Sequence, residues 1–255
     1  MTLVLTPLKG IPLIHPGDDI NNIIINGLIE NNIILSEGDI VVVTQKIISK
    51  AEGRLINLQQ IEPSDEAIKL AGITNKDPRL VELIITESNS IIRAVSGTLI
   101  VEHKCGFICA NAGIDHSNVQ GDYGNPGDWY LLLPENPDSS AKKIRMSLEN
   151  YFSTGVGVLV IDSHGRPWRN GTIGMTIGIS GLPALVDMIG KEDIFGYKLL
   201  ATQVGVADEL ASAASLLMGQ SSESIPVVHV HGFPYPLRES SIHELIRNKN
   251  KDLFR

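Results

Sequence analysis

The alternation of apolar and polar positions divides the chain into an α/β series. Met1 to Leu5 predicts a first strand ended by Pro7, and the Gly/Pro-rich KGIPLIHPGDD that follows predicts loop with one short extended piece. Ile20, Ile23, Ile24 and Leu28 fall on one face of a helix over Ile20–Asn31, with Asp18 or Asp19 as its cap. Ile40–Val43 reads as a buried strand. Helices are expected over Glu62–Ala71, capped by Ser64, and over Asp77–Glu87 behind Pro78. The segment Ser90–Ala112 is rich in β-branched residues and period-two patches, so it predicts strands. Residues 120–140 are dense in Gly, Pro, Asn and Asp and predict a long excursion with one strand, Trp129–Leu133. A helix capped by Ser139 or Ser140 then reaches about Phe152.

Val156–Ile161 predicts a second buried strand, running out at Asp162 and Ser163 into a polar loop over His164–Arg169. The Gly-punctuated GTIGMTIGISG and a short helix over Pro183–Ile189 come next. Ala207–Met218, closed by Gly219, is a clear helix. Val227–Val230 returns as a strand, and Ile242–Asn248 predicts a charged C-terminal helix. The alternation is too uneven for a barrel or a doubly wound sheet, and no repeat of fixed period occurs.

Composition adds exclusions. The chain has 255 residues, 43% hydrophobic and 20% charged, enough to bury a real core in one domain spanning 1–255 or in two lobes whose boundary nothing marks. A net charge of −8 argues against sequence-independent nucleic-acid binding but allows a small anion held by local arginines. Cys105 and Cys109, four apart in an expected strand, read as buried thiols in a reducing compartment. MTLVLTPLKG lacks the pattern of a signal peptide and no apolar run is long enough for a membrane span, so the expected location is the cytoplasm.

The common nucleotide, hydrolase and zinc-protease signatures are absent: there is no P-loop, no G-x-G-x-x-G after a strand, no G-x-S-x-G and no H-E-x-x-H. HVHG puts His229 and His231 on one side of a strand, without an acidic neighbour to complete a metal site. What remains is oxygen chemistry at strand ends. NAGIDHSN offers Asp115, Ser117 and Asn118, and VIDSHGRPWRNG offers Asp162 and Ser163 ahead of Arg166 and Arg169. Two carboxylates converging on a hard cation beside phosphate suit phosphoryl transfer, although a lone Asp at either place is more often a turn residue. Lys50, Glu52 and Arg54 in SKAEGR carry phosphate-binding chemistry or form a solvated charge run. The residues alone lead to a metal-dependent phosphate enzyme.

Six stretches together resemble the coenzyme F420-0:L-glutamate ligase family: GIPLI at 10–14, ISKAEGR at 48–54, NAGIDHSN at 111–118, VIDSHGRPWRNG at 160–171, IGISG at 177–181 and VADELASAASLLMGQ at 206–220. The resemblance implies a GTP-dependent ligase that joins L-glutamate to F420-0 through a γ-linked amide by way of an acyl phosphate. It also implies Mg²⁺ or Mn²⁺ (one or two ions), K⁺ activation, and a two-lobed fold peculiar to the family in an intertwined homodimer. Asp115, Asp162 and Ser163 fall on its metal positions. Ile11, Pro12, Leu13, Ile14, Gln45, Lys46, Lys50 and Asn118 fall on nucleotide contacts. So does the stretch Met218, Gly219, Gln220, Ser221, Ser222, Glu223, Ser224 and Ile225. Gln220 stands where some relatives carry a Glu for a second metal, and a neutral amide oxygen is the weaker ligand. Arg166 and Arg169 are candidates, from charge and position, for clamping phosphate or the glutamate carboxylates. Two other classes are an amide ligase for a different carboxylate and a catalytically idle nucleotide-binding protein. GTP-dependent addition of glutamate to F420-0 separates them.

Overall fold

A computed structural model describes residues 2–121 and 124–252. Its centre is a five-stranded mixed sheet with strands β1 (Val4–Pro7), β2 (Ile40–Thr44), β8 (Gly157–Arg166), β9 (Arg169–Ser180) and β12 (Val227–His231), in the order β1-β12-β2-β8-β9. Only β2 and β8 run parallel, with Ile40 opposite Gly157 and Thr44 opposite Ile161. The period-two pattern explains why this pair is central. Val41, Val43, Val158 and Val160 enter a core under α1 (Ile20–Glu30), α2 (Gln45–Ala51) and α5 (Pro137–Phe152). Ile40, Val42, Leu159 and Ile161 enter a second core under α6 (Val206–Met218). Both faces are covered, as a parallel pair requires.

A third, separate cluster lies where α3 (Asp65–Thr74) and α4 (Pro78–Thr86) cover a small sheet of β4 (Ser88–Val95), β5 (Thr98–His103) and β6 (Ile108–Ala110). A two-stranded ribbon of β3 (Leu55–Asn57) and β7 (Trp129–Leu131) stands between, and β10 (Val186–Asp187) pairs with β11 (Gln203–Val204) in an outlying arm. The structure is therefore mixed α/β.

Several expectations are corrected. The first strand runs through Pro7 rather than ending before it, and Met1 lies outside the described residues. α5 is capped by Asn136, whose side chain accepts the Ser139 N–H, with Pro137 in the first turn where its missing N–H costs nothing. Residues 183–189 form no helix: Val186 and Asp187 pair with β11 instead. The C-terminal helix is reduced to short 3₁₀ turns at Ile242–Glu244 and Lys249–Lys251.

The largest correction concerns Asp162–Arg169. There is no loop after Ile161, because β8 outruns β2 and continues as a hairpin with β9, Asp162 opposite Met175 and Arg166 opposite Arg169. The turn is Pro167–Trp168, with Trp168 at φ +56°. A bulge between Val160 and Ile161 flips β9, so Ile177 joins the first core and Ile179 the second.

Cys109 lies in β6 but Cys105 sits in the preceding turn, and both thiols are free. Burial pushes them up to about 11 for Cys105 and about 12 for Cys109, so they are protonated and inert. His229 and His231 do share a side of β12, and the structure supplies the acidic partner that the local sequence lacked. Buried Asp39 binds His229 Nε2 at 2.8 Å and His231 Nδ1 at 2.7 Å. This cluster ties β12 to the start of β2, at the end of the sheet away from Thr44. Among the described residues no helix is long and apolar enough to cross a membrane.

Candidate active site

The carboxyl ends of the parallel pair open into a cavity of about 900 Å³, the usual place for a site in a sheet of this kind. It gathers nearly all the residues singled out in the sequence. Ile11–Ile14 form one wall, Lys46 and Lys50 reach in from α2, and Asp115 with Asn118 come from the loop after β6. Asp162 and Ser163 come from β8, and Met218–Ile225 close the far side. Gln45 is buried behind this surface, its Nε2 donating to Asp115 Oδ2 at 2.7 Å. Arg166 and Arg169 are not in the lining. They flank the hairpin turn, and an Arg166 Nη2 donates to Asn170 O at 3.4 Å. The SKAEGR charges diverge: Lys50 enters the cavity, Glu52 accepts from Ser140 Oγ, and Arg54 turns to Glu87.

Backbone conformation places the acidic loop. Asn111, Ala112 and Gly113 are three successive left-handed residues (φ +51°, +54° and +64°), a combination that is costly for the two non-glycines. They turn the chain so that Asp115 forms a two-bond bridge with Leu131, both bonds 2.9 Å. Asp115 is thus held by β7 on its backbone and by Gln45 on its side chain.

Asp162 is the first residue of β8 beyond the end of β2, so it has no β2 neighbour, while β9 still fixes its backbone and its side chain is largely buried. Strand alternation sends Asp162 and Ser163 to opposite faces. The oxygen donors accordingly form two pairs. Asp162 lies toward Asp115, whereas Ser163 Oγ donates to Gln220 Oε1 at 2.8 Å at the end of α6. His164 Nε2 stands 3.1 Å from Asp162 Oδ2, within ion-pair reach but out of line for a hydrogen bond.

The electrostatics are those of a site short of positive charge on one side and crowded with it on the other. Burial, then the Asp162 charge, pushes Asp115 up to about 6, against the opposing pull of Lys46 at 3.4 Å. Lys50 is pushed down by burial and by Lys46, its neighbour one helical turn away. Lys46 Nζ donates to Ser117 Oγ at 2.9 Å, and Lys50 Nζ to Asn118 O at 2.8 Å. Asn118 Nδ2 in turn donates to Ser221 O at 3.0 Å, tying the two cavity loops together.

Two carboxylates, a hydroxyl and an amide oxygen are hard donors that fit Mg²⁺ or Mn²⁺, and a divalent cation would relieve the repulsion at Asp115. Among the described residues no three His, Cys, Asp or Glu side chains gather as a cation site. A cation here would rest on two carboxylates, neutral oxygens and water, as Mg²⁺ commonly does.

Residues 10–232 match the family described as F420-0:Gamma-glutamyl ligase. The chain belongs to the F420-0:gamma-glutamyl ligase family. Three relatives named coenzyme F420:L-glutamate ligase match over nearly their whole lengths. The protein of Methanothermobacter thermautotrophicus is 43% identical, covering 100% of both chains. That of Methanocaldococcus jannaschii is 42% identical over 96% of this chain and 94% of its own. That of Methanopyrus kandleri is 40% identical over 100% of this chain and 98% of its own. Within this member of the gamma-glutamyl ligase family, sequence reading missed that Ser117, singled out as an oxygen donor, holds Lys46, and it missed the approach of His164 to Asp162. The first needed the packing of α2 against the loop after β6. The second needed the hairpin.

Proposed function

We propose that this chain is a GTP-dependent ligase that adds L-glutamate to coenzyme F420-0 through a γ-linked amide, by way of an acyl phosphate. The observation that supports it most is the convergence of Asp115 and Asp162 with Lys46 and Lys50 in one cavity, in a chain of this family. A free carboxylate cannot acylate an amine because oxide would have to leave. Transfer of the γ-phosphoryl group to a carboxylate oxygen of F420-0 replaces oxide with phosphate. The glutamate amine then attacks the carbonyl carbon, loses a proton, and phosphate departs. Lys46 and Lys50 neutralise the phosphates, a role favoured because the two ammonium groups destabilise each other until a polyanion arrives. Asp115, Asp162, Ser163 and Gln220 would hold Mg²⁺ or Mn²⁺, which when bound neutralises charge on the transferring phosphoryl group. K⁺ activation and a cytoplasmic location belong to the same reading.

Glutamate- and F420-0-dependent release of phosphate from GTP tests the proposal directly. GTP is expected to be preferred, and equal turnover with ATP at matched concentration refutes that part.

The raised Asp115 gives a second expectation. In metal-free protein, a carboxyl pushed up to about 6 favours folding below its unfolded value of about 4, and that contribution is lost as pH rises through 6. Mn²⁺ binds the deprotonated form. The rise in Tm on adding Mn²⁺ should therefore be several degrees larger at pH 7.5 than at pH 5. An equal rise at both pH values would show that Asp115 takes no part in binding.

We further infer a homodimer. The arm from Val186 to Val204 exposes Ile194 (91%), Phe195 (79%) and Leu200 (86%) together, more apolar surface than an isolated arm tolerates. Replacing Ile194 and Phe195 by Ser should convert a sedimenting dimer into a monomer. A wild-type chain that is monomeric at assay concentrations overturns this.

A further inference from the structure

Two side chains that do not line the cavity set the direction of the Asp115 carboxylate. Gln45 and Ser49 are both 0% exposed, and neither belongs to the cavity wall. They lie one turn apart in α2, which starts directly after the last residue of β2, so they share a face. Ser49 Oγ donates to Gln45 Oε1 at 2.8 Å, and Gln45 Nε2 donates to Asp115 Oδ2 at 2.7 Å. A buried amide is costly unless both of its ends are bonded, and here both are.

An amide has an accepting end and a donating end, and half a turn exchanges them. With Oε1 held by the Ser49 hydroxyl, the NH₂ group points at the carboxylate. Turned round, Oε1 would face Oδ2, acceptor against acceptor. The neutrality of the partner matters as well. A lysine or arginine in this place would hold Asp115 but would repel an arriving cation, whereas an amide orients the carboxylate and leaves its charge intact. Lys46 is the other partner, 3.4 Å from the same Oδ2, and both contacts leave Oδ1 for a cation. In the ligase reading Lys46 turns to phosphate. The Leu131 bridge then fixes only the backbone of Asp115, and Gln45 alone keeps its side chain in place.

We propose that Ser49 and Gln45 are positioning residues that aim the Asp115 carboxylate at the divalent cation of the site. Neither touches substrate or metal. Ser49 acts through Gln45, and Gln45 acts through Asp115. The inference rests on the metal-dependent ligase reading for the cation itself. Partners of this kind orient a metal ligand from behind, and losing one commonly weakens metal binding about 10–100-fold.

Calorimetric titration of Mn²⁺ into the full chain, without nucleotide, reads the effect apart from turnover. Gln45→Met keeps the length of the side chain and removes the amide, and it should raise the Kd for Mn²⁺ about tenfold or more. Ser49→Ala should raise it about fivefold, and the double variant no more than Gln45→Met alone, because Ser49 works only through the amide. An unchanged Kd in either single variant overturns the proposal. So does a Ser49→Ala effect that persists at full size in the Gln45→Met background. Binding of GTP in EDTA should be the same in Ser49→Ala as in wild type, since Lys46 and Lys50 stay in place on α2. A loss there would make Ser49 a packing residue of the helix and also overturn the proposal. Should Ser49→Ala fail to fold, the Kd of Gln45→Met decides alone. Wild type that binds Mn²⁺ but releases no phosphate with F420-0 and glutamate sinks the ligase reading, and the Mn²⁺ cycle still decides the positioning role. Wild type that binds no Mn²⁺ overturns both.

Discussion

Asp162→Asn is expected to fold and melt like the wild type while turning over at least a hundredfold more slowly. The Asp162 side chain is about nine-tenths buried, and the substitution keeps its shape and volume, so its packing is preserved. Its backbone stays paired with Met175. What is lost is one of the two carboxylates facing the cavity beside Lys46. Losing one such interaction with a transferring phosphoryl group commonly costs about 3–4 kcal/mol in the transition state. A second readout follows from the coupling of the two acids. Without the Asp162 charge, Asp115 falls back toward the ordinary carboxylate range, since that charge is part of what raises it. Steady-state turnover across a Mn²⁺ titration, with a thermal melt and a carboxyl NMR titration, checks all three points. Near wild-type turnover at limiting Mn²⁺ would reduce Asp162 to a structural strand residue.

Gly178→Ala should have the opposite signature, a loss of stability with no direct effect on the site. A Cβ at Gly178 would come within 2.5–2.6 Å of the Pro137 carbonyl carbon, oxygen and Cβ, where the first turn of α5 sits on β9. That contact is backbone against backbone, and Asp138 fastens it by accepting the Ile179 N–H at 2.8 Å. Neither side can yield by rotating a side chain. Overpacking of this kind costs about 2–3 kcal/mol, which lowers the Tm of a chain this size by about 5–10 °C. Gly165→Ala, in the open hairpin with nothing within 4 Å of the new atom, is the matched control and should leave the Tm in place. Equal Tm values for the two variants would mean that α5 does not press on β9 as described.

The sequence made the central strands legible because Val41, Val43, Val158 and Val160 alternate with Ile40, Val42, Leu159 and Ile161 in two buried faces. It did not make the hairpin legible, because a two-stranded ribbon that outruns its sheet has no buried face to impose a pattern. Asp162 to Arg166 therefore reads as loop. The cap of α5 was misread for a local reason. Asn136 before Pro137 carries the better signal, but two serines farther on compete with it. Cavity residues were legible as motifs because each loop brings several of them at once. Glu87, the ion-pair partner of Arg54, was not, since a distant segment supplies it alone.

The parallel pairing of β2 with β8 also bears on how the chain acquires its site. After Thr44 the polypeptide must run through α2, the ribbon, the small sheet and α5 before Gly157 can pair with Ile40. Closing so long a loop costs entropy that local contacts do not repay, so this pairing belongs late in folding. Asp162 reaches Asp115 only once it is made. Partly folded chains would thus carry the acidic loop without its partner, and recovery of tight Mn²⁺ binding during refolding would time the last step of assembly, not the first.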